Sequence, residues 1–197
     1  MDEIWSIILA AGESKRMGSP KMLLPFKGRS MIENVISNVF KSKADEIIVV
    51  LGAYFDELSL LMKRLDVSYC FNDNYMKGML SSVQYGFKNL PQDYKAALVF
   101  QGDQPLIPPA VVDRVIDEYI HSCKGIIVPV FNSRRGHPLL VDKKYRDEIE
   151  KLLPDEGLHS LLDKFGEDLL EVETGEPGIL RDFDTYDEYR KGINQIQ

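Results

Sequence analysis

The stretch IWSIILAAGESKRMGSPKMLLPFKG, residues 4–28, begins as an apolar run and turns abruptly into a glycine-bearing, basic loop. Its first seven residues, IWSIILA, are apolar and partly β-branched, which predicts a buried strand. The part from residue 9 to residue 28 holds three glycines, two prolines, three lysines and an arginine. A tight basic loop directly after a strand indicates an anion nearby. A nucleotide, a sugar phosphate and plain solvent all remain open at this point.

Small and positively charged residues share the first half of this loop. The small residues leave room for backbone amides to approach a ligand, and the charged ones can add charge-assisted hydrogen bonds to a triphosphate. The residues concerned are Leu9, Ala10, Ala11, Gly12, Lys15, Arg16 and Lys21.

The spacing of the glycines excludes two familiar phosphate loops. Five residues separate Gly12 from Gly18, and Ser19 and Pro20 follow where a Walker A motif has Lys-Ser/Thr. The G-x-G-x-x-G fingerprint of dinucleotide-binding proteins is absent as well. A glycine-rich turn with solvated charges remains the structural alternative.

Length and composition are those of one globular domain, residues 1–197. The formal net charge of −7 argues against nucleic-acid binding, so a small anionic substrate fits the basic loop better. The sequence shows no apolar run of about 18 residues and no basic start typical of a secretion signal, so we expect a cytoplasmic protein without a membrane segment. Cys70 and Cys123 lie in apolar segments and are expected to be reduced core thiols.

Short apolar runs alternate with amphipathic segments along the chain. Continuous apolar strands are typical of a mostly parallel sheet covered by helices on both faces, so we predict one three-layer α/β domain with its site at the C-terminal ends of strands. Ser30 and Glu33 form a predicted capping box at a helix start. The predicted strands are 4–10, 46–52, 67–71, 96–100, 125–130, 137–141 and 168–173. The predicted helices are 30–42, 55–65, 79–90, 108–120, 143–153, 157–165 and 184–193.

Acidic residues follow two of these segments in positions suited to a metal. Asp103, in VFQGDQP, comes just past a buried strand, where one carboxylate can bind a divalent cation that bridges phosphates. Asp182 and Asp184, in DFDTYDEY, are two residues apart and would point to the same side of an extended segment. The structural alternatives are a turn at Asp103 and a helix cap at Asp184 or Thr185.

Two further stretches have the composition of binding loops. FNDNYMKGMLSSVQYG carries Gly78 and Ser82, and NSRRGHPLLV carries His137 before a proline. A lone histidine is more often structural than catalytic, and the chain shows neither a nucleophile motif nor the spacing of a zinc site.

Taken in order, LAAGESKRMGSPKMLL, NDNYMKGMLSSVQYG, GDQP, RRGHPLL and DFDT resemble the MobA-like NTP transferases over nearly the whole chain. Within that family the chain is most similar to the MocA-like molybdenum cofactor cytidylyltransferases. The resemblance implies a glycosyltransferase-A-like, Rossmann-related fold and transfer of CMP from CTP to the phosphate of molybdopterin, with release of pyrophosphate. It also implies Mg²⁺ as cofactor and a molybdenum hydroxylase as a further partner.

The resemblance also implies roles for individual residues. Arg16, Lys21 and Asp103 would carry catalysis, with Arg16 on the triphosphate and Lys21 on the α-phosphate. Asp103 would bind the metal together with Asp184, rather than Asp182. The remaining positions divide into nucleotide-binding Leu9, Ala10, Ala11, Gly12, Gly78 and Ser82 and acceptor-binding Gly136, His137 and Pro138.

The choice of nucleotide depends on Ala11. Relatives that use GTP have LAGG where this chain has LAAG, and the added methyl favours cytosine over a purine by about 1–3 kcal/mol. The chain departs from the family pattern at Tyr186, usually proline, and at His159, usually an arginine that would contact the anionic acceptor. Transfer to a sugar or polyol phosphate therefore stays open, as does a non-catalytic protein that delivers molybdenum cofactor to a hydroxylase.

Overall fold

The computed structural model describes residues 3–154 and 156–194; residues 1, 2, 155 and 195–197 of the predicted domain lie outside this part. The strands are β1 (Ile4–Ala10), β2 (Pro25–Phe26), β3 (Arg29–Ser30), β4 (Glu46–Leu51), β5 (Ser68–Phe71), β6 (Ala96–Gln101), β7 (Ile126–Phe131), β8 (Arg134–Arg135), β9 (Leu139–Asp142) and β10 (Leu169–Glu173). The α-helices are α1 (Met31–Phe40), α2 (Phe55–Leu65), α3 (Met79–Lys88), α4 (Pro109–Ser122), α5 (Arg146–Lys151), α6 (His159–Lys164) and α7 (Tyr186–Asn194).

The main sheet is mostly parallel. Across the described residues it has the strand order β10-β7-β9-β6-β1-β4-β5, and β8 pairs with β7. Strands β5, β4, β1 and β6 are parallel neighbours, whereas β9 runs antiparallel between β6 and β7. A separate small sheet joins β2 to β3. The α/β class with a mostly parallel sheet, predicted from the continuous apolar strands, is confirmed.

Helices cover both faces of this sheet. Neighbouring residues of β1 point to opposite faces, and Ile7 and Ile8 are both fully buried. On one face Ile8 belongs to a cluster that includes Ile32 of α1, Leu58 of α2 and Val112 of α4. On the other face Ile7 belongs to a cluster that includes Val83 and Phe87 of α3, Ile149 of α5 and Leu161 of α6. The result is the predicted three-layer arrangement, which leaves the strand ends free to carry a site.

The capping box predicted at the start of α1 is present. The amide of Glu33 donates to Ser30 Oγ at 3.4 Å, and the Glu33 carboxylate accepts from the amide of Ser30 at 2.7 Å. The helix ends at Phe40, two residues before the predicted end, because the amide of Ser42 already turns back to the carbonyl of Val39 at 2.9 Å.

The second half of the chain differs most from the prediction. The helix predicted over residues 143–153 is divided into a 3-10 turn, Lys143–Tyr145, and the short α5, Arg146–Lys151. Asp142 accounts for the division, because its carboxylate accepts from the amide of Lys144 and caps the turn. The strand predicted at residues 137–141 begins two residues later, at Leu139, and is antiparallel to its neighbours.

The cysteines correct one expectation. Cys123 is exposed, since it ends α4 in a left-handed conformation with φ of 57°, and Cys70 is only partly buried. Burial raises the pKa of the Cys70 thiol to about 12. The prediction of a core position for Cys123 was wrong because the residue lies at the exposed C-terminal end of α4. Separately, no helix within residues 3–154 and 156–194 is long and apolar enough to cross a membrane.

Gly52 is required where the loop after β1 meets the end of β4. A Cβ at this position would lie 2.6 Å from the carbonyl oxygen of Ala11 and 2.9 Å from the Cβ of Tyr75. We therefore expect Gly52→Ala to lower the free energy of unfolding by about 1–3 kcal/mol, because the loop and Tyr75 must both move. Urea denaturation measures the change.

Gly166→Ala is the matched control for Gly52→Ala. A Cβ at Gly166 meets open space, and its φ lies outside the left-handed region. This variant should remain within about 0.5 kcal/mol of the original protein. Equal stability of the two variants would contradict the close packing at Gly52.

Candidate active site

The candidate site lies at the C-terminal ends of β1 and β6, which are parallel neighbours. Leu9 of β1 pairs with Gln101 of β6, and the amide of Gly102 donates to the carbonyl of Leu9 at 2.9 Å. The loops that follow these two strands therefore leave the sheet side by side. Ligand sites of open α/β sheets form at this position because helices and loops diverge there.

Hydrogen bonds within the loop after β1, and one from Tyr54, hold this loop in its conformation. Ser14 and Gly18 adopt left-handed conformations, with φ of 49° and 64°. The carbonyl of Ser14 accepts from the amides of Met17 and Gly18, and its hydroxyl accepts from the amide of Lys21 at 3.2 Å. The hydroxyl of Tyr54 donates to the carbonyl of Glu13 at 2.9 Å. These contacts direct the side chain of Lys21 back toward the strand ends.

Lys21 joins the two carboxylates that the sequence proposed as metal ligands. Its Nζ donates to Asp103 Oδ2 and, at 2.9 Å, to Asp184 Oδ1. The side chains of Lys21 and Asp103 are only 13% and 7% exposed. Arg16, 69% exposed, adds an ion pair of 2.6 Å to Asp184 Oδ2. The basic residues of the loop thus have acidic partners from distant parts of the chain.

The charges at this site shift the pKa values of Lys21, Asp184 and Asp182. Burial disfavours the ammonium of Lys21, but Asp103 and Asp184 outweigh it and raise the pKa of Lys21. Burial likewise disfavours the carboxylate of Asp184, but Lys21 and Arg16 outweigh it and lower the pKa of Asp184. Partial burial, with the charges of Asp184 and Asp103, raises the pKa of Asp182. The cluster therefore favours an ionised Asp184 over an ionised Asp182.

The sequence left open whether Asp184 or Thr185 caps the last helix, and the hydrogen bonds show that Thr185 does. The hydroxyl of Thr185 accepts from the amide of Glu188 at 3.3 Å, and the Glu188 carboxylate accepts from the amide of Thr185 at 2.9 Å. Thr185 therefore caps α7, and the carboxylate of Asp184 is directed to Lys21 and Arg16 instead.

A cleft of about 290 Å³ opens beside Lys21. It brings together most of the positions that the resemblance assigned to the nucleotide or its chemistry, namely Leu9, Ala11, Gly12, Lys21, Gly78, Ser82 and Asp103. Sequence reasoning missed others that line it, among them Glu13, Met22, Tyr75, Met76, Met79 and Gln101. The signal that could have found Met76 and Met79 is their place beside Gly78 in a polar loop. Ala10 differs from its neighbours, because its side chain is buried in the core on the α1 face.

A buried asparagine orders the wall of the cleft formed by residues 72–82. The Nδ2 of Asn72 donates to the hydroxyls of Ser81 and Ser82, both at 3.0 Å, and its Oδ1 accepts from the amide of Asn74. Gly78 starts α3 with φ of 101°, which a side chain would strain. Asn72 therefore positions Ser82 at the cleft rather than facing a ligand itself.

His137, one of the three predicted acceptor residues, lies next to a residue that lines this cleft. The Nε2 atoms of Gln101 and His137 are 3.4 Å apart, and Gln101 lines the cleft. A Cβ on Gly136 would lie 2.5 Å from the carbonyl oxygen of Ile179, so the backbone at Gly136 packs closely against the segment around Ile179. Burial lowers the pKa of His137 to about 4, against the opposing charge of Asp103, and leaves the imidazole neutral at neutral pH.

The acidic residues suit a metal that is shared with a substrate. Among the described residues, no group of three or more His, Cys, Asp or Glu side chains could hold a metal ion by itself. Asp103 and Asp184 supply two carboxylates that already meet around one cation, the ammonium of Lys21. Magnesium is commonly bound by one or two carboxylates plus substrate phosphates. The donor set therefore fits a metal held jointly by protein and nucleotide.

The sheet, the loop after β1 and the cleft belong to a domain of the NTP transferase class. The chain belongs to the MobA-like NTP transferase family, whose domain matches residues 6–170. The resemblance seen in the sequence motifs is thereby confirmed.

Curated relatives include both kinds of molybdenum cofactor nucleotidyltransferase. The probable molybdenum cofactor guanylyltransferase of Methanosarcina mazei is 28% identical over 189 residues, 91% of this chain and 80% of that protein. The molybdenum cofactor cytidylyltransferase of Escherichia coli is 29% identical over 144 residues, 73% of this chain and 72% of that protein. The bifunctional protein GlmU of Clostridium kluyveri is 32% identical over 150 residues, but the chain spans only 32% of its length.

Solved structures confirm the fold. Rv0371c of Mycobacterium tuberculosis superposes with a TM-score of 0.84 at 25% identity, covering 98% of this chain and 97% of that chain. A second crystal structure of that protein, at 24% identity and a TM-score of 0.79, is a complex with manganese and covers 98% of both chains.

Proposed function

We propose that this protein is a molybdenum cofactor cytidylyltransferase, which transfers CMP from CTP to the phosphate of molybdopterin and releases pyrophosphate. The observation that carries the proposal is the meeting of Lys21, Asp103 and Asp184 at the edge of a cleft formed by the loop after β1. The cytidylyl- and guanylyltransferase relatives support the cofactor as substrate class.

In the proposed reaction an acceptor phosphate oxygen forms a bond to the α-phosphorus of CTP as the bond to the pyrophosphate oxygen breaks. The attacking phosphate is already ionised at neutral pH, so no general base is needed, and the neutral His137 is not required to supply one. Lys21 would stabilise charge on the α-phosphate, and the exposed Arg16 would hold the outer phosphates. When bound, Mg²⁺ supplies further neutralisation of the phosphates.

Nucleotide and acceptor occupy different sides of the proposed site. The base and ribose would lie along Gly78 and Ser82, with Leu9, Ala10, Ala11 and Gly12 offering backbone contacts. The acceptor would lie near Gly136, His137 and Pro138, which meet the cleft at Gln101.

We further propose a molybdenum hydroxylase as the recipient of the product and the cytoplasm as the place of reaction.

The choice of CTP is tested by incubating the protein with Mg²⁺, molybdopterin and each nucleoside triphosphate in turn. We expect CTP to give the fastest pyrophosphate release and the largest rise in melting temperature, because only a ligand that binds the folded state raises it. A faster reaction with a sugar or polyol phosphate as acceptor would overturn the assignment of molybdopterin. Binding of molybdopterin without pyrophosphate release with any nucleotide would instead identify a delivery protein.

Ala11→Gly should change the preference between nucleotides. Ala11 lines the cleft, so removal of its methyl group would enlarge the space proposed for the base. We expect the ratio of kcat/KM for CTP over GTP to fall by about 5–150-fold, the effect of about 1–3 kcal/mol at a size-selective pocket.

Ala10→Gly serves as the control for Ala11→Gly, because its methyl is buried in the core and does not line the cleft. The CTP to GTP ratio of this variant should stay unchanged even where stability falls. An unchanged ratio in Ala11→Gly as well would show that this methyl does not select the base.

A further inference from the structure

The carboxylate pair at the site already has a cation, supplied by the chain itself. Lys21 Nζ contacts both Asp103 and Asp184, and all three side chains are buried or partly buried. These are the same two carboxylates that fit a divalent metal. The ammonium of Lys21 therefore lies where a metal shared by both residues would have to bind.

A divalent cation cannot share this position with the ammonium. Two cations a few ångströms apart repel strongly, and the repulsion is greater beside a buried side chain such as that of Asp103 than in bulk water. The charge of the nearby Asp182 adds to the attraction for any cation. Asp182 does not hold the Lys21 ammonium, because the hydrogen bonds of Lys21 go to Asp103 and Asp184. Metal binding to both carboxylates thus requires Lys21 to leave them.

The cleft offers the ammonium another anionic partner. Lys21 lines the cleft that the proposed function assigns to a nucleoside triphosphate. Its flexible four-carbon stem allows the ammonium to turn from the carboxylates to a phosphate without any change in the backbone. A triphosphate in the cleft would thereby free both carboxylates.

We propose that Lys21 closes the Asp103–Asp184 pair to divalent cations until a nucleoside triphosphate draws its ammonium away. Metal and nucleotide then bind with positive coupling, and the coupling acts equally on both ligands. This inference rests on the proposed function in one respect, that the cleft takes a nucleoside triphosphate.

Mn²⁺ binding without nucleotide tests the proposal directly. In a titration of the full chain followed by electron paramagnetic resonance, Lys21→Met should bind Mn²⁺ at least about tenfold more tightly than the original protein, an effect of about 1.4 kcal/mol. Adding Asp103→Asn to Lys21→Met should abolish the gain. Lys21→Gln, a second neutral variant, should reproduce it if Lys21→Met folds poorly.

Arg16→Met is the matched control, because it removes a positive charge that contacts Asp184 alone. Its Mn²⁺ affinity should rise less than about threefold, the effect of an exposed ion pair. An equal rise in the two variants would mean that general charge, not the bridging position, governs metal binding, and would overturn the proposal. The original protein alone can also overturn the proposal. It would do so if it bound Mn²⁺ with micromolar affinity in the absence of nucleotide and if Asp103→Asn abolished that binding.

Pyrophosphate release separates this inference from the proposed function. If the original protein turns over CTP but Lys21→Met gains no Mn²⁺ affinity, only the inference fails. If Lys21→Met gains affinity but no nucleoside triphosphate is turned over, the closing role of Lys21 stands and the proposed function fails.

Discussion

Lys21→Ala should lower the rate of pyrophosphate release from CTP, measured with Mg²⁺ and molybdopterin, by at least about 100-fold. Lys21 is the least exposed of the positive side chains in the loop after β1 and stands at the junction of that loop with Asp103. Once turned to the α-phosphate, an ammonium with so little exposure stabilises the developing negative charge more than a solvated charge could. The loss should appear mainly in kcat, because the interaction strengthens in the transition state.

Lys15→Ala is the control for Lys21→Ala, since it lies in the same loop but is exposed and pairs with Glu13 at 2.8 Å. Its rate should stay within about twofold of the original, as expected for a solvated ion pair. Because Lys21→Ala leaves the buried Asp103 without its cation, thermal unfolding is recorded in parallel and rates are compared well below the lower melting temperature. Near-original activity in folded Lys21→Ala would remove Lys21 from the mechanism.

Asp103→Asn should lower the same rate by at least about 100-fold at a fixed Mg²⁺ concentration, because a neutral amide oxygen is a much weaker magnesium ligand than a carboxylate. Asp184→Asn should have an effect of the same order. Asparagine keeps the size of the side chain, so the loss reports the charge rather than a cavity. Initial rates over a range of Mg²⁺ concentrations measure both variants.

Asp182→Asn separates the two acids of the DFDT segment. The pKa of Asp182 is raised by partial burial and by Asp184 and Asp103, whereas that of Asp184 is lowered by its two cationic partners. Lys21 brings Asp184, rather than Asp182, together with Asp103, so Asp184 is the better placed of the two to share a metal with Asp103. We expect Asp182→Asn to cost less than about fivefold in rate, and a greater loss than in Asp184→Asn would reverse the assignment.

Features that depend on neighbours in the chain were predictable. The alternation of apolar strands and amphipathic helices is a local pattern, and it led to the α/β class and the three layers. Ser30 and Glu33 are three residues apart, so their capping box follows from helix geometry alone. The motifs around Gly12 and Asp103 were visible because each lies directly after a buried strand.

Features that depend on which segments meet were harder to predict. Cys123 reads as apolar and buried, yet it ends α4 and is exposed. Tyr75 and Gln101 lie in stretches that the sequence singled out but received no role there, and they line the cleft because β6 and the loop after β5 converge on the end of β1. The preference for Asp184 over Asp182 rested on family likeness, and only the fold shows that Asp184 contacts Lys21 and Arg16.

The sequence by itself determined the layered α/β fold, the basic glycine-bearing loop and the family, because hydrophobic periodicity and short motifs are properties of contiguous residues. Only the tertiary structure decided that Lys21 contacts Asp103, 82 residues away, and Asp184, 163 residues away. The reason is physical: a buried ammonium is stable only where the fold brings carboxylates to it, and that meeting depends on how the sheet orders its strands and where the last helix begins.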